Sequence, residues 1–117
     1  MISTYRELIV WKKSMHIVSL TYDITSRFPK DEKFGLTSQI RRAVISIPSN
    51  IAEGSMRGSR GDYRRFLQIS RGSVGEVRTQ LELALNLKFI DSTNFHKLDQ
   101  LLEEVLKILN TLISKLR

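Results

Sequence analysis

The side chains best suited to chemistry in this sequence are arginines. Arg57, Arg60, Arg64, Arg65 and Arg71 fall within fifteen residues, and Arg41 and Arg42 form a doublet upstream. Arg64, Arg71 and Arg78 are spaced by seven, so on a helix they form one row at intervals of about 10 Å. Arg65 has Asp62 three residues before it, and Arg78 has Glu82 four residues after it, spacings that allow local pairing. Arg41, Arg42, Arg64 and Arg71 have no such neighbour. A planar guanidinium meets phosphate oxygens in pairs, which an ammonium cannot do. The expected chemistry is phosphate contact by Arg41, Arg42, Arg57, Arg60, Arg64, Arg65 and Arg71, a nucleic-acid-binding surface. The competing reading is pairing across helices or subunits with Glu53, Glu76 or Glu82, or a plainly solvated face.

Catalytic constellations are absent from the pattern. His16 and His96 are the only histidines, and neither has metal-ligand spacing. There is no cysteine, hence no thiolate nucleophile, zinc knuckle or disulfide framework. The glycine-rich stretch Gly54-Ser-Met-Arg-Gly-Ser-Arg-Gly61 lacks the G-x-x-x-x-G-K-[ST] order of a phosphate-binding loop, and no strand pattern precedes it. Glu53, beside Asn50, could act as an acid, but a salt bridge to a nearby arginine is its simpler role. The expectation is a protein that is not an enzyme, with no catalytic residue, metal or cofactor.

These residues must be positioned by helices. In Phe34–Gly54 the apolar residues Leu36, Ile40, Ala43, Val44, Ile47 and Ile51 step by three and four, one face of a helix. Pro48 lies inside that run. It removes one backbone bond, which predicts a kink, or else a second helix starting there. Asp31 could cap this helix and Gly54 could stop it. Upstream, Leu8, Trp11, Met15, Val18 and Tyr22 form one stripe, with Ile17, Ile24 and Phe28 beside it, ahead of the terminating Pro29. Downstream, Ser59 with Asp62 resembles a capping box. From there Tyr63, Leu67, Ser70, Val74, Val77, Leu81 and Ala84 continue the period. Gly72 and Gly75, with Ser70, Ser73 and Thr79, form a small-residue patch where another helix or a ligand could come close. Capped by Asp91 or Ser92, the last run holds Phe95, Leu98, Leu102, Val105, Leu109, Leu112 and Leu116 in register. The predicted fold is all-α: one domain over 1–117, an antiparallel up-down four-helix bundle with helices near 7–28, 32–54, 60–87 and 92–116, helix two kinked at Pro48. The apolar width of helices one and four exceeds what one neighbour covers, so self-association is expected.

The formal charge is +7 over 117 residues. By segment it is +3 in 1–30, +1 in 31–58, +3 in 59–90 and zero in 91–117. A basic balance favours anionic partners. No leader pattern opens the chain and no apolar run reaches the roughly 18 residues of a membrane span, so a cytoplasmic location is expected.

Three segments carry a resemblance: Gly35-Leu-Thr-Ser-Gln-Ile-Arg-Arg-Ala43, Ser46-Ile-Pro-Ser-Asn-Ile-Ala-Glu-Gly54 and Gln80-Leu-Glu-Leu-Ala84. From Val10-Trp11 to helix four the chain resembles the bacterial four-helix-bundle proteins encoded in intervening sequences of 23S ribosomal RNA genes. The resemblance implies a ring-like homopentamer with no established enzymatic activity. It also extends to the accessory variability protein of diversity-generating retroelements, a pentameric barrel that binds nucleic acid and a reverse transcriptase. The family has no motif of proven binding residues, so the arginines above rest on charge alone. The leading expectation is an oligomeric, sequence-tolerant nucleic-acid-binding protein, with RNA the favoured ligand. The alternative is a scaffold whose arginines bind an acidic protein partner such as a polymerase or reverse transcriptase.

Overall fold

The structure, a computed structural model, describes residues 4–117. Met1, Ile2 and Ser3, read above for a leader, lie outside them. The described residues form four long helices and no strand: α1 (Ile9–Thr25), α2 (Leu36–Met56), α3 (Arg60–Asn86) and α4 (Ser92–Lys115). Short 3-10 turns at Tyr5–Glu7 and Lys30–Glu32 precede α1 and α2. The chain is an all-α four-helix bundle about 43 Å long and 21–24 Å across.

Neighbouring helices meet in opposite senses. Early α3 touches late α4, where Arg60 reaches Lys115, and later α3 touches early α4, where Arg78 reaches Asp99. The α2–α3 pair behaves likewise: Ser46 bonds Ser73, and the Ser70 hydroxyl donates to the Ile47 carbonyl. The core is the expected periodic set, with Ile17, Ile40, Ile47, Ile51, Leu67, Leu81, Leu98, Leu102 and Leu109 sealed from solvent. At about 25 cal/mol per Å² of apolar surface removed from water, such burial is the main term holding the helices together.

Local chemistry explains most helix ends. The Ser59 hydroxyl accepts the Asp62 N–H at the start of α3, and the Asp91 carboxylate accepts the Asn94 N–H at the start of α4. Both satisfy donors that the first helical turn leaves free. Asp31 does not cap α2. The helix starts later, at Leu36, and the Glu32 carboxylate takes the Leu36 N–H at 3.0 Å. Gly54 does not stop α2 either. The helix runs on to Met56, and the left-handed residue that turns the chain is Gly58, at φ +89°. Pro48 is buried within α2, which is one helix through it, so no second helix begins there.

Two faces differ from the expected ones. On α1 the core is made by Val10, Ser14, Ile17, Thr21 and Ile24. The stripe of Trp11, Met15, Val18 and Tyr22 lies on the shoulder instead, with Met15 42% exposed. Both stripes keep the helical period, and the period alone does not say which one faces inward. Ser70 and Ser73 of the small-residue patch do meet α2, but the glycine that admits close approach of helices is Gly54, not Gly72 or Gly75. A Cβ on Gly54 would stand 2.6 Å from the Phe66 Cβ, whereas one on Gly72 or Gly75 would meet nothing within 4 Å.

Candidate nucleic-acid interface

The seven arginines named from the sequence do not converge on one site. Arg57, Arg60, Arg64 and Arg65 gather where α2 turns into α3. Arg71 lies part-way along α3. Arg41 and Arg42 lie near the start of α2, about 24 Å from Arg57 along the helix axis.

The α2–α3 end is built by the tight turn at Gly58 and by the passage of α4 beneath it. Arg57 and Arg65 flank the Phe66 ring, with guanidinium carbons 4.8 and 4.6 Å from its centroid. Their carboxylate partners are intrahelical: Glu53 for Arg57 and Asp62 for Arg65, both at 3.6 Å and solvent-exposed. Exposed pairs of this kind are worth about 0–1 kcal/mol, so water or a phosphate competes for these guanidiniums on nearly equal terms. Glu53 is thus an ion-pair partner, as the simpler reading had it, and the Asn50 amide donates to the Ser46 carbonyl.

Arg60 and Arg64 reach across to the last turn of α4. The Arg60 Nη2 donates to the Lys115 carbonyl at 2.8 Å, and the Arg64 Nε donates to the Ile113 carbonyl at 3.3 Å. Terminal carbonyls of a helix carry the negative end of its dipole, and the Ile113 carbonyl accepts the Leu116 N–H as well as Arg64. The two guanidiniums therefore clasp α4, Arg60 remaining solvent-exposed and Arg64 partly so. The clasp brings Lys115 and Arg117 to the same end, and the charge reading had passed over both cations. A small hollow of about 280 Å³ opens between Gly54, Gly58, Ser59, Arg60 and Tyr63. Burial pushes the Tyr63 phenol above its usual value of 10.0.

The row Arg64, Arg71, Arg78 faces α4 and serves the seam between helices. The Arg71 Nη1 donates to the Asn110 Oδ1 at 3.0 Å. Arg78 does not pair with Glu82. It lies between Asp99 and Glu103, at 2.8 and 2.6 Å. Its pKa is raised, chiefly by the hydrogen bond to Asp99, against an opposing desolvation, with further support from Glu103. Arg64 and Arg71, without partners in the local sequence, thus have oxygen partners on α4, though no carboxylate among the described residues. Arg42 is exposed and has no ion pair among the described residues.

His16 and His96, remote in sequence, line one hollow between α1 and α4 together with Lys97, Gln100 and Glu104. Across that groove the Lys13 ammonium meets Glu104 at 2.8 Å. Among the described residues no group of three or more His, Cys, Asp or Glu is placed to hold a metal ion. No helix among them is long and apolar enough to cross a membrane.

Fold and surface together define a basic four-helix-bundle protein with arginines massed at one end. The family model described as "23S rRNA-intervening sequence protein" matches residues 6–111, and the chain belongs to that family. Among solved structures it is similar to a protein of unknown function from the S23 ribosomal protein family of Bacteroides thetaiotaomicron. That likeness has a TM-score of 0.84 at 24% identity and covers 90% of this chain and 98% of the other. At that identity it speaks for the fold. No curated protein matches.

Proposed function

We propose that this protein is a non-enzymatic, oligomeric nucleic-acid-binding protein that contacts RNA through phosphates, without sequence readout. One observation carries the reading. At the α2–α3 end Arg57, Arg60 and Arg65 are solvent-exposed, and among the described residues the only carboxylates paired with them are exposed ones at 3.6 Å. The aromatics at this end are Tyr63, half-buried, and Phe66, buried, so stacking contributes little and sequence preference is weak.

Self-association adds to the affinity. A ring repeats the arginine end around its axis, so modest sites combine if one strand spans them. The shoulder of α1 supplies an apolar surface for it. Trp11, Met15 and Val18 line a groove with Ile45, Pro48 and Ala52 of α2. The pentamer is what the family resemblance implies.

The test is Arg57→Glu combined with Arg65→Glu, read by fluorescence anisotropy with a single-stranded RNA. Neither side chain holds α4, so helical content should remain. The expected result is loss of binding. Wild-type binding should fall with salt at a log–log slope of about −3.5 for roughly five phosphates of a single strand. Unchanged affinity in the double variant would sink the reading. An acidic protein captured by the wild type after nuclease treatment, with no RNA affinity, would replace it with the scaffold reading.

A further inference from the structure

Some 24 Å from the arginine end, at the opposite pole of α2, a second basic feature lies outside the surface just described. A hollow of about 390 Å³ opens between the end of α1, the Lys30–Glu32 turn and the start of α2. Its polar lining is Thr25, Ser26, Lys30, Lys33, Thr37 and Arg41, with no carboxylate among its lining residues. The acidic groups nearby are engaged or turned elsewhere. Asp23 pairs with Arg27 at 3.0 Å, and Glu32 accepts the Leu36 N–H at 3.0 Å. Asp31, on the same turn, does not line the hollow.

Arg41 is held in place before any ligand arrives. Its Nε donates to the Thr25 hydroxyl at 2.9 Å, its Nη2 donates to the Tyr22 carbonyl at 3.2 Å, and its guanidinium lies 4.4 Å from the Tyr22 ring centroid. The Thr25 hydroxyl can accept that bond because its own proton goes to the Thr21 carbonyl at 2.7 Å. These bonds engage two of the five guanidinium N–H donors, and the rest stay available with their direction fixed. Lys30 and Lys33 are exposed and have no ion pair among the described residues. A pre-oriented fork flanked by two exposed ammonium groups suits a compact dianion with several acceptor oxygens. It suits a phosphodiester less well, because a diester carries one charge and continues as chain in both directions.

We propose that this hollow binds a phosphomonoester dianion, the terminal phosphate of a nucleic-acid strand or a free mononucleotide. The strand-end source rests on the nucleic-acid reading above, while the hollow itself can be tested without it. The experiment compares a 5′-phosphorylated RNA 12-mer with its 5′-hydroxyl twin by anisotropy at fixed salt. Wild type should bind the phosphorylated strand roughly tenfold more tightly, as charge-assisted hydrogen bonds to a dianion predict. Lys30→Gln with Lys33→Gln, which touches no helix contact, should bring that ratio towards one while leaving 5′-hydroxyl binding in place. Arg41→Gln should do the same. Arg57→Glu with Arg65→Glu should weaken both strands and preserve the ratio. A ratio of one in wild type with measurable binding overturns the strand-end site and leaves the nucleic-acid reading standing. If neither strand binds, that reading fails, and titration with uridine 5′-monophosphate followed by amide NMR decides the hollow. Shifts at Thr25, Thr37 and Arg41 support it as a mononucleotide site, and their absence overturns it.

Discussion

Single residues decide two properties of this bundle. Gly54 is the point where α2 and α3 press together. Its place in a glycine-rich stretch suggested a helix stop, but what matters there is the lack of a side chain. Gly54→Ala places a Cβ 2.6 Å from the Phe66 Cβ and 3.3 Å from the Tyr63 carbonyl. Overpacking of that kind costs about 1–3 kcal/mol, more than the helix propensity alanine returns. Gly72→Ala meets open space and should stabilise by about 0.5–1 kcal/mol. Urea melts of the two variants should therefore shift in opposite directions. Tyr63 sets an alkaline limit. Its folded pKa is raised, so the unfolded chain loses the phenolic proton first as pH climbs. The folded state then binds more protons than the unfolded one, and stability declines from about pH 10 upward. Tyr63→Phe should flatten that decline while leaving stability at pH 7–9 little changed, as pH-dependent denaturation curves would record.

Among elements, the α3–α4 seam separates what was legible in the sequence from what was not. All four helices could be read from steps of three and four, and the caps at Ser59 and Asp91 from residue type, because both signals are local. The partners of the arginines could not. Arg78 meets Asp99 and Glu103 across 21 and 25 residues, and no spacing rule reaches that far. The inward face of α1 was hidden for another reason. Thr21 and Thr25 are buried, the Thr25 hydroxyl bonded to Arg41 of α2 and the Thr21 hydroxyl without a hydrogen-bond partner among the described residues, while the more apolar Trp11–Met15 stripe is left outside. A hydrophobic ranking selects the wrong stripe when threonines can satisfy themselves on the preceding turn, as Thr25 does on the Thr21 carbonyl. Of the candidate surface, the arginine cluster at 57–65 was legible. The division of the seven arginines between two poles, and the use of Arg64 and Arg71 to hold α4, became visible only with the helices in place. Arg78 is the seam's strongest single fastener. Arg78→Gln should cost about 1–2 kcal/mol after allowance for its 30% exposure. Asp99→Asn combined with it should add little further, a non-additivity that a double-mutant cycle measures.

For the molecule as a whole, the apolar surface left in water on one side is the feature that predicts association. Met15 and Ile45 are each 42% exposed on the α1–α2 side, next to the half-buried Trp11. A contiguous apolar face of this sort marks an association surface. Size exclusion with light scattering should return a mass several times 13.5 kDa. Met15→Glu with Ile45→Glu should reduce it to a single chain with its helices intact. A wild-type monomer at micromolar concentration would remove self-association from the account, and with it the gain from repeated arginine ends.

The two ends of the α3–α4 seam are fastened by different chemistry. Near the α3–α4 connection the fastener is Arg78 on two carboxylates, an ionic contact that added salt weakens. At the far end it is Arg60 and Arg64 on peptide carbonyls, which carry no net charge to screen. Rising salt should therefore loosen the two helices near the connection before it frees the distal turn of α4. The bundle then has a built-in order of opening, a hinge at one extremity and a release at the other.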